Sequence, residues 1–404
     1  MIKYLILGAG PAGLSFACNL KKRGCDDFIV LEKDECAGGL CRSVWINDSY
    51  IDIGGGHFLD VARPKVTRFL FDYMPEEEWN TFVRDSRINH HGKLISHPFE
   101  SNIWQLDIDE QVEYLCSIAR AGCNSGLEIP SNFSSWIRWK LGDKIAENYM
   151  IPYNKKIYGY EFENLGTYWL EKLPNVSFEE TLKSCLTHKA YGKQPGHATF
   201  MYPKKYGYGE LWTRMAETIK DNIVFNQCVK EINIKTKSVE TADGQIYSAE
   251  TIITSIPWET LSNISGAPDY IICSIKELKR NSIQIDYYAD NLDTDAHWIY
   301  YPDSNISFHR ILNKRTFSPL GGGYWTETNV NRIEKRNEVT PIFSYVNEYA
   351  YPLNTINKPD IMKSLIEFFT NLNIFPLGRW GEHQHYNSDV VVEKALNLSN
   401  SLPV

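Results

Sequence analysis

The chain has 404 residues, 43% hydrophobic and 23% charged, an ordinary globular composition too long for one small core. A net charge of −8 without any basic run excludes a nucleic-acid surface of the usual kind. Nine cysteines without a CxxC pair offer no zinc site, so we expect no metal, reduced thiols and a cytoplasmic location.

The N-terminal "KYLILGAGPAGLSFACNLKKRGCDDFIVLEK" enters a buried parallel strand at once, with no leader-like apolar region before it. Gly8, Gly10 and Gly13 follow in GxGxxG spacing and open an amphipathic helix that runs to about Arg23. A second buried strand, "FIVL", ends in Glu32, nineteen residues past Gly13. Gly8 suits the tight turn, Gly10 lets backbone approach a pyrophosphate, and Gly13 lets helix pack on strand. The helix N-terminus offers free N–H groups to phosphates, and Glu32 can accept hydrogen bonds from a ribose diol. Together these parts predict a dinucleotide-binding unit.

In "DECAGGLCRSVWINDSYIDIGGGHF", Gly38 and Gly39 followed by Arg42 bring a second loop and a cation toward that pyrophosphate. The strand "YIDI" then runs into Gly54–Gly56, where something bulky must pass close to backbone, and His57 follows. "INHHGKLISHPF" predicts a hairpin around His91-Gly92. From about Leu106 to Leu186 the pattern is helical and rich in Trp and Tyr. Within it, Tyr153 and Tyr158 bracket Lys155 and Lys156 in a helix that Gly159 can end. Packing between helices and a stacking platform for a nucleobase, with lysines near its phosphates, both fit this arrangement. Further on, Asp243-Gly244 is a hairpin turn, "TIITSIP" a parallel strand rejoining the first sheet, and "NSIQIDYYAD" and "HWIYYP" antiparallel strands. The final "GRWGEHQHYNSDVVVEKAL" packs an arginine, two histidines and two acids ahead of a helix from Val390 to about Leu398, capped by Ser388 or Asp389.

The expected fold is α/β, a Rossmann-type parallel-sheet domain with an inserted helical domain and a second, antiparallel-sheet domain. Its cofactor-binding parts are 1–85, 191–265 and a closing segment with the last helix at 341–404. The antiparallel sheet comes from a hairpin at 86–105 and from 266–340, and the helical substrate domain is 106–190. No apolar stretch approaches the roughly 20 residues needed to span a bilayer.

The pattern E-K-x(4)-GG-x-x-R-S-x(8)-D-x-GGGHF resembles the flavoprotein superfamily of amine oxidases, protoporphyrinogen oxidases and UDP-galactopyranose mutases. That resemblance implies FAD, held by Gly8, Gly10, Gly13, Glu32, Gly39, Arg42, Gly56 and His57, with the glycine turn along the isoalloxazine. The longer "PYNKKIYGY…WLEKL", "SNISFHRILNKRTFSP" and the closing "GRWGEHQHYNSD" are similar to the mutases in particular. They imply a nucleotide-sugar substrate, with Tyr153 and Tyr158 on the base and Lys172 and Arg310 on the diphosphate. His385, where bacterial mutases place a tyrosine, and Tyr386 are implied at the substrate, and Arg379 and Asp389 at the cofactor. Tyr158 stands where bacterial mutases usually carry Trp, and Lys172 where an arginine is expected.

The implied activity is interconversion of pyranose and furanose forms of an NDP-hexose, UDP-galactose or a related UDP, dTDP or GDP sugar. In it, N5 of reduced FAD displaces the nucleoside diphosphate from the anomeric carbon. His57 and Arg310 are the implied catalytic residues, the first adjusting flavin electronics or orienting a sugar hydroxyl. The alternative implied by the same resemblance is an FAD-dependent oxidoreductase of the amine oxidase or protoporphyrinogen oxidase type. A homodimer is compatible with either.

Overall fold

A computed structural model describes residues 1–122, 126–170, 173, 176–192, 198–318, 320–332 and 339–404. Strand β1 (Ile2–Leu7), helix α1 (Pro11–Lys22) and strand β2 (Phe28–Leu31) form the expected unit, with Tyr4 opposite Phe28 in parallel register. Strand Ile246–Thr254 lies parallel on the other side of β1, pairing Thr251 with Tyr4. Strands Ile223–Val224 and Ile374–Pro376 extend the parallel pairing outward from β2 and from Ile246–Thr254. The first half of Ile246–Thr254 also pairs antiparallel with Ser238–Thr241 around the Asp243-Gly244 turn, completing an eight-stranded sheet.

Apolar side chains alternate across β1, so Leu5 and Leu7 face one layer while Tyr4 and Ile6 face the other. Helices Asp269–Glu277 and Lys358–Thr370 cover the first layer. Helix α1 and the last helix, Ser388–Ser401, cover the second, where Leu14, Leu20, Val392 and Ala395 are buried. Each buried leucine or valine contributes about 1.5–3 kcal/mol. Arg23 donates to the carbonyl of Leu402 at 2.9 Å and Asn19 to Asn400 at 3.0 Å, so the two helices are also joined by polar contacts.

A seven-stranded, mostly antiparallel sheet stands beside this unit in the order 343–352, 280–288, 324–329, 310–312, 298–300, 86–90 and 93–96. The hairpin turns at His91 and Gly92, both with positive φ, as a two-residue turn requires. The edge strand Phe343–Pro352 belongs to this sheet, which therefore extends beyond the expected limit at residue 340. Its register against Arg280–Tyr288 jumps between Asn281 and Ile283, a bulge that spans Glu348–Ala350. Helices Ile108–Gly122, Phe133–Ile145, Ile151–Tyr158 and Phe178–Thr187 make up the helical insert.

The last helix begins at Ser388, two residues before the expected start, and Asn387 is its N-cap. Neither Ser388 nor Asp389 caps it, because both side chains are engaged elsewhere. Ser388 bonds the Tyr208 hydroxyl at 2.7 Å, and Asp389 pairs with Arg63. Among the described residues no helix is long and apolar enough to cross a membrane.

Candidate functional site

A cavity of about 690 Å³ opens where β1, α1, the Gly39–Arg42 loop, the edge strand and the closing segment meet. Gly8, Gly10, Glu32, Gly39, Arg42, His57, Arg379 and Tyr386 all line it. Its floor is bare backbone. A Cβ on Gly39 would lie 3.3 Å from the Gly10 Cα, and the Gly38 N–H donates to the Ala9 carbonyl at 2.8 Å, stitching the two glycine loops together. Pro11 and Ala12 in the first turn of α1 face the same space, and that turn carries no acidic residue to oppose an anion.

Glu32 is 6% exposed and stands with Gln227 and Val229 on the cavity wall. Its Oε2 accepts the Ala9 N–H at 2.7 Å and its Oε1 the Asp34 N–H at 3.1 Å. Burial pushes its carboxyl up, against the pull of those two N–H groups. The carboxylate is thus held in one orientation with acceptor capacity left for a diol. Arg42 pairs with Asp34 at 3.0 Å, and donates to the Gly39 carbonyl at 3.1 Å and to the Tyr345 hydroxyl at 3.2 Å.

His57 and Arg379 form the other polar group of the cavity. His57 Nδ1 lies 3.2 Å from the Gly55 carbonyl, which makes Nδ1 the protonated nitrogen and leaves Nε2 an acceptor. Burial and then the charge of Arg379 push His57 down to about 3, so it is neutral. Arg379 donates twice to the Tyr386 carbonyl, at 2.8 and 3.1 Å, and once to the Ala350 carbonyl at 3.3 Å. The bulge in the edge strand aims that last carbonyl. Among the described residues Arg379 has no carboxylate partner, so a half-buried positive charge faces the cavity.

The other expected residues are placed differently. Gly13 sits inside α1 against β1, off the cavity lining. The Gly56 N–H donates to Glu327 at 3.3 Å. Asp389 is buried behind the lining, where its neighbour Ser388 faces the cavity. Beyond the Gly54–His57 turn, Arg310 binds Glu327 and donates to the Tyr351 hydroxyl at 3.2 Å, and Tyr351 packs on His385 with ring centres 4.7 Å apart. Tyr153 lies 6.1 Å from His309 and 5.4 Å from Tyr300, and Tyr158 lies 6.4 Å from Trp169. The structure therefore brings Arg310 and His385 together through Tyr351.

Lys172 lies outside the described residues. The two lysines between the tyrosines do not reach a shared anion site. Lys156 is buried and donates to the carbonyls of Tyr301 and Asp303 at 2.6 and 2.7 Å, and Lys155 is exposed and pairs with Glu163 at 3.5 Å. Sequence reasoning missed Glu327, Tyr345, Asn347 and Tyr351. Asn347 pins the edge strand to the Ile53 carbonyl at 2.6 Å.

A cradle of two bare glycine loops, a helix N-terminus, an oriented carboxylate and two guanidiniums fits a dinucleotide, and the neutral histidine beside an unpaired cation fits its redox-active ring. The fold and this cavity define a dinucleotide-binding flavoprotein. A family model for flavin containing amine oxidoreductases matches residues 11–284, and the chain belongs to that family, with FAD as its cofactor. Its fold is like that of reduced UDP-galactopyranose mutase, at 20% identity and a TM-score of 0.89, covering 99% of this chain and 93% of the other. It is also like that of a CLA-producing fatty acid isomerase from P. acnes, at 15% identity, a TM-score of 0.67 and coverage of 100% and 99%. Cyclohexylamine oxidase from Brevibacterium oxydans matches at 12% identity with a TM-score of 0.67, covering 99% and 98%.

Proposed function

We propose that the protein is an FAD-dependent sugar-nucleotide mutase that interconverts the pyranose and furanose forms of an NDP-hexose. The observation that carries this reading is the polar cluster Arg310–Glu327–Tyr351–His385 beyond the Gly54–His57 turn. A substrate with a diphosphate is matched by a guanidinium among tyrosines, whereas an apolar amine or a porphyrinogen would be matched by an apolar tunnel. The chemistry that bound, reduced FAD supplies is nucleophilic displacement at the anomeric carbon.

The chain's own part is to bind and align. Arg310 and Lys172 hold the diphosphate, Tyr153 and Tyr158 carry the base, and His385 and Tyr386 donate hydrogen bonds to the phosphates. His57 uses its bare Nε2 to accept a hydrogen bond from a sugar hydroxyl or the cofactor ring. Binding energy gathered at base and phosphates serves to align the sugar. A cytoplasmic location belongs to the same proposal.

The test is incubation of the holoprotein with UDP-galactofuranose and related furanose nucleotides, with and without dithionite, followed by chromatography. Pyranose formed only under reduction is the expected result. Oxygen consumption with an amine or porphyrinogen and no isomerisation would overturn it in favour of the oxidoreductase reading.

A further inference from the structure

Glu327 sits in the strand Tyr324–Asn329 and is 1% exposed. It stands directly across from Arg310 in the antiparallel ladder. Its two carboxylate oxygens serve different segments of the chain. Oε2 accepts Arg310 Nε at 3.1 Å and Nη2 at 2.5 Å, with His309 Nε2 at 3.5 Å on the same oxygen. Oε1 accepts the Gly56 N–H at 3.3 Å, reaching the turn that carries His57 into the cofactor cavity. The contact requires a bare backbone there, since a Cβ at Gly55 would lie 2.7 Å from Oε1.

We infer that Glu327 is a positioning residue that clamps Arg310 to the cofactor turn and balances its charge behind His57. The charges at this end of the cavity support the second half of that statement. Among the described residues the half-buried Arg379 has no carboxylate partner, Arg310 is paired with Glu327, and His57 is neutral, so these four side chains together carry one positive charge. Burial raises the Glu327 carboxyl, but Arg310 and then His309 outweigh it and hold the group down at about 2. It is therefore ionised at neutral pH, and removing its charge leaves two uncompensated guanidiniums, Arg379 and Arg310, that both act on His57 in the cavity wall. An arginine does not shed its proton to relieve this. Reduction adds negative charge to the flavin, so an added positive charge nearby favours the reduced form.

The inference rests on FAD as cofactor and not on the mutase reading, because its readout needs no sugar nucleotide. The experiment is a dye-linked potentiometric titration of the holoprotein, comparing wild type, Glu327→Gln and the double variant Glu327→Gln/Arg310→Gln. The expected result is a midpoint potential shifted positive in Glu327→Gln and returned toward wild type in the double variant. A purely structural role would not produce opposite shifts. If Glu327→Gln does not yield folded holoprotein, Arg310→Gln carries the test with the opposite sign. Its potential should shift negative, by an amount that fades as the pH is lowered and Glu327 takes up a proton. A potential unchanged in Glu327→Gln, or unchanged at every pH in Arg310→Gln, would overturn the assignment.

Discussion

Arg63, at the N-cap of helix Pro64–Phe71, forms an ion pair with Asp389 in the first turn of the last helix. It also donates to Glu393 one turn further on, at 3.0 Å. One guanidinium thus ties an N-terminal element to the helix that closes the cofactor cavity. Asp389 is fully buried, whereas the Arg63 side chain is one-third exposed and can hydrate when its partner is lost. Asp389→Ala should therefore lower stability by about 1–3 kcal/mol, less than the loss of a wholly buried pair. Urea unfolding with Glu393→Ala as a comparison measures it, and an unchanged midpoint would remove the pair from the account of closure.

Gly13 makes a stricter demand. A Cβ there would lie 1.9 Å from the Gly8 carbonyl oxygen, a backbone atom that cannot swing aside. Gly13→Ala must push α1 off β1 and disturb the phosphate-facing turn. We expect a loss of roughly 1–3 kcal/mol or more from overpacking, together with poor flavin retention. Thermal unfolding and visible absorbance per chain read both effects at once.

Arg310→Ala should separate the two halves of the site. The variant loses a charge-assisted contact to a diphosphate, and nucleotide-sugar affinity should fall on the order of a hundredfold. Bound flavin should remain, because Arg310 does not line the cofactor cavity. Isothermal titration with UDP and with a UDP-hexose tests this, and undiminished affinity would withdraw Arg310 from the substrate.

Three histidines, His383 buried and His57 and His97 half-buried, make the fold acid-sensitive. His57, His97 and His383 are each pushed down to about 3, by burial first and then by Arg379, Arg84 and Lys358 respectively. A depressed histidine contributes stability that is present above its unfolded value of 6.5 and is lost as the pH falls toward 3. By about pH 5 each costs on the order of 2 kcal/mol. Asp52 and Glu100 act in the opposite sense, burial raising them to about 6 and 7, so their contribution is lost as the pH rises through those values. The measurement is therefore the change in slope between about pH 7.5 and 5 caused by His97→Gln, which should flatten it. An unaltered slope would mean that His97 is already protonated.

Much of this molecule was legible where the signal is local. The turn at His91-Gly92, the turn at Asp243-Gly244 and the strand–glycine–helix–strand unit each follow from a few adjacent residues whose backbone needs are distinctive. Glu32 was legible for the same reason, since its distance from the glycines is set by one helix and one strand. Glu327 was not. "YWTETN" reads as half-exposed, yet five of its six residues are buried, and Glu327 is explained by the pairing with a strand that begins at Arg310. The bulge at Glu348–Ala350 left no trace either, because it carries no glycine and follows from contacts to Arg280 and Arg379. The place of Lys156 was not legible, because its spacing on a helix says nothing about which carbonyls lie behind it.

Arg379, Tyr386, Ser388 and Val391 wall a cavity whose floor is laid by Gly8 and Gly10. During synthesis the floor leaves the ribosome well before the wall. A nascent chain that has not reached Gly378 would present its phosphate cradle open on one side, unable to retain the coenzyme. Loading must thus wait for the closing segment, and chains broken upstream of Gly378 should be recovered colourless.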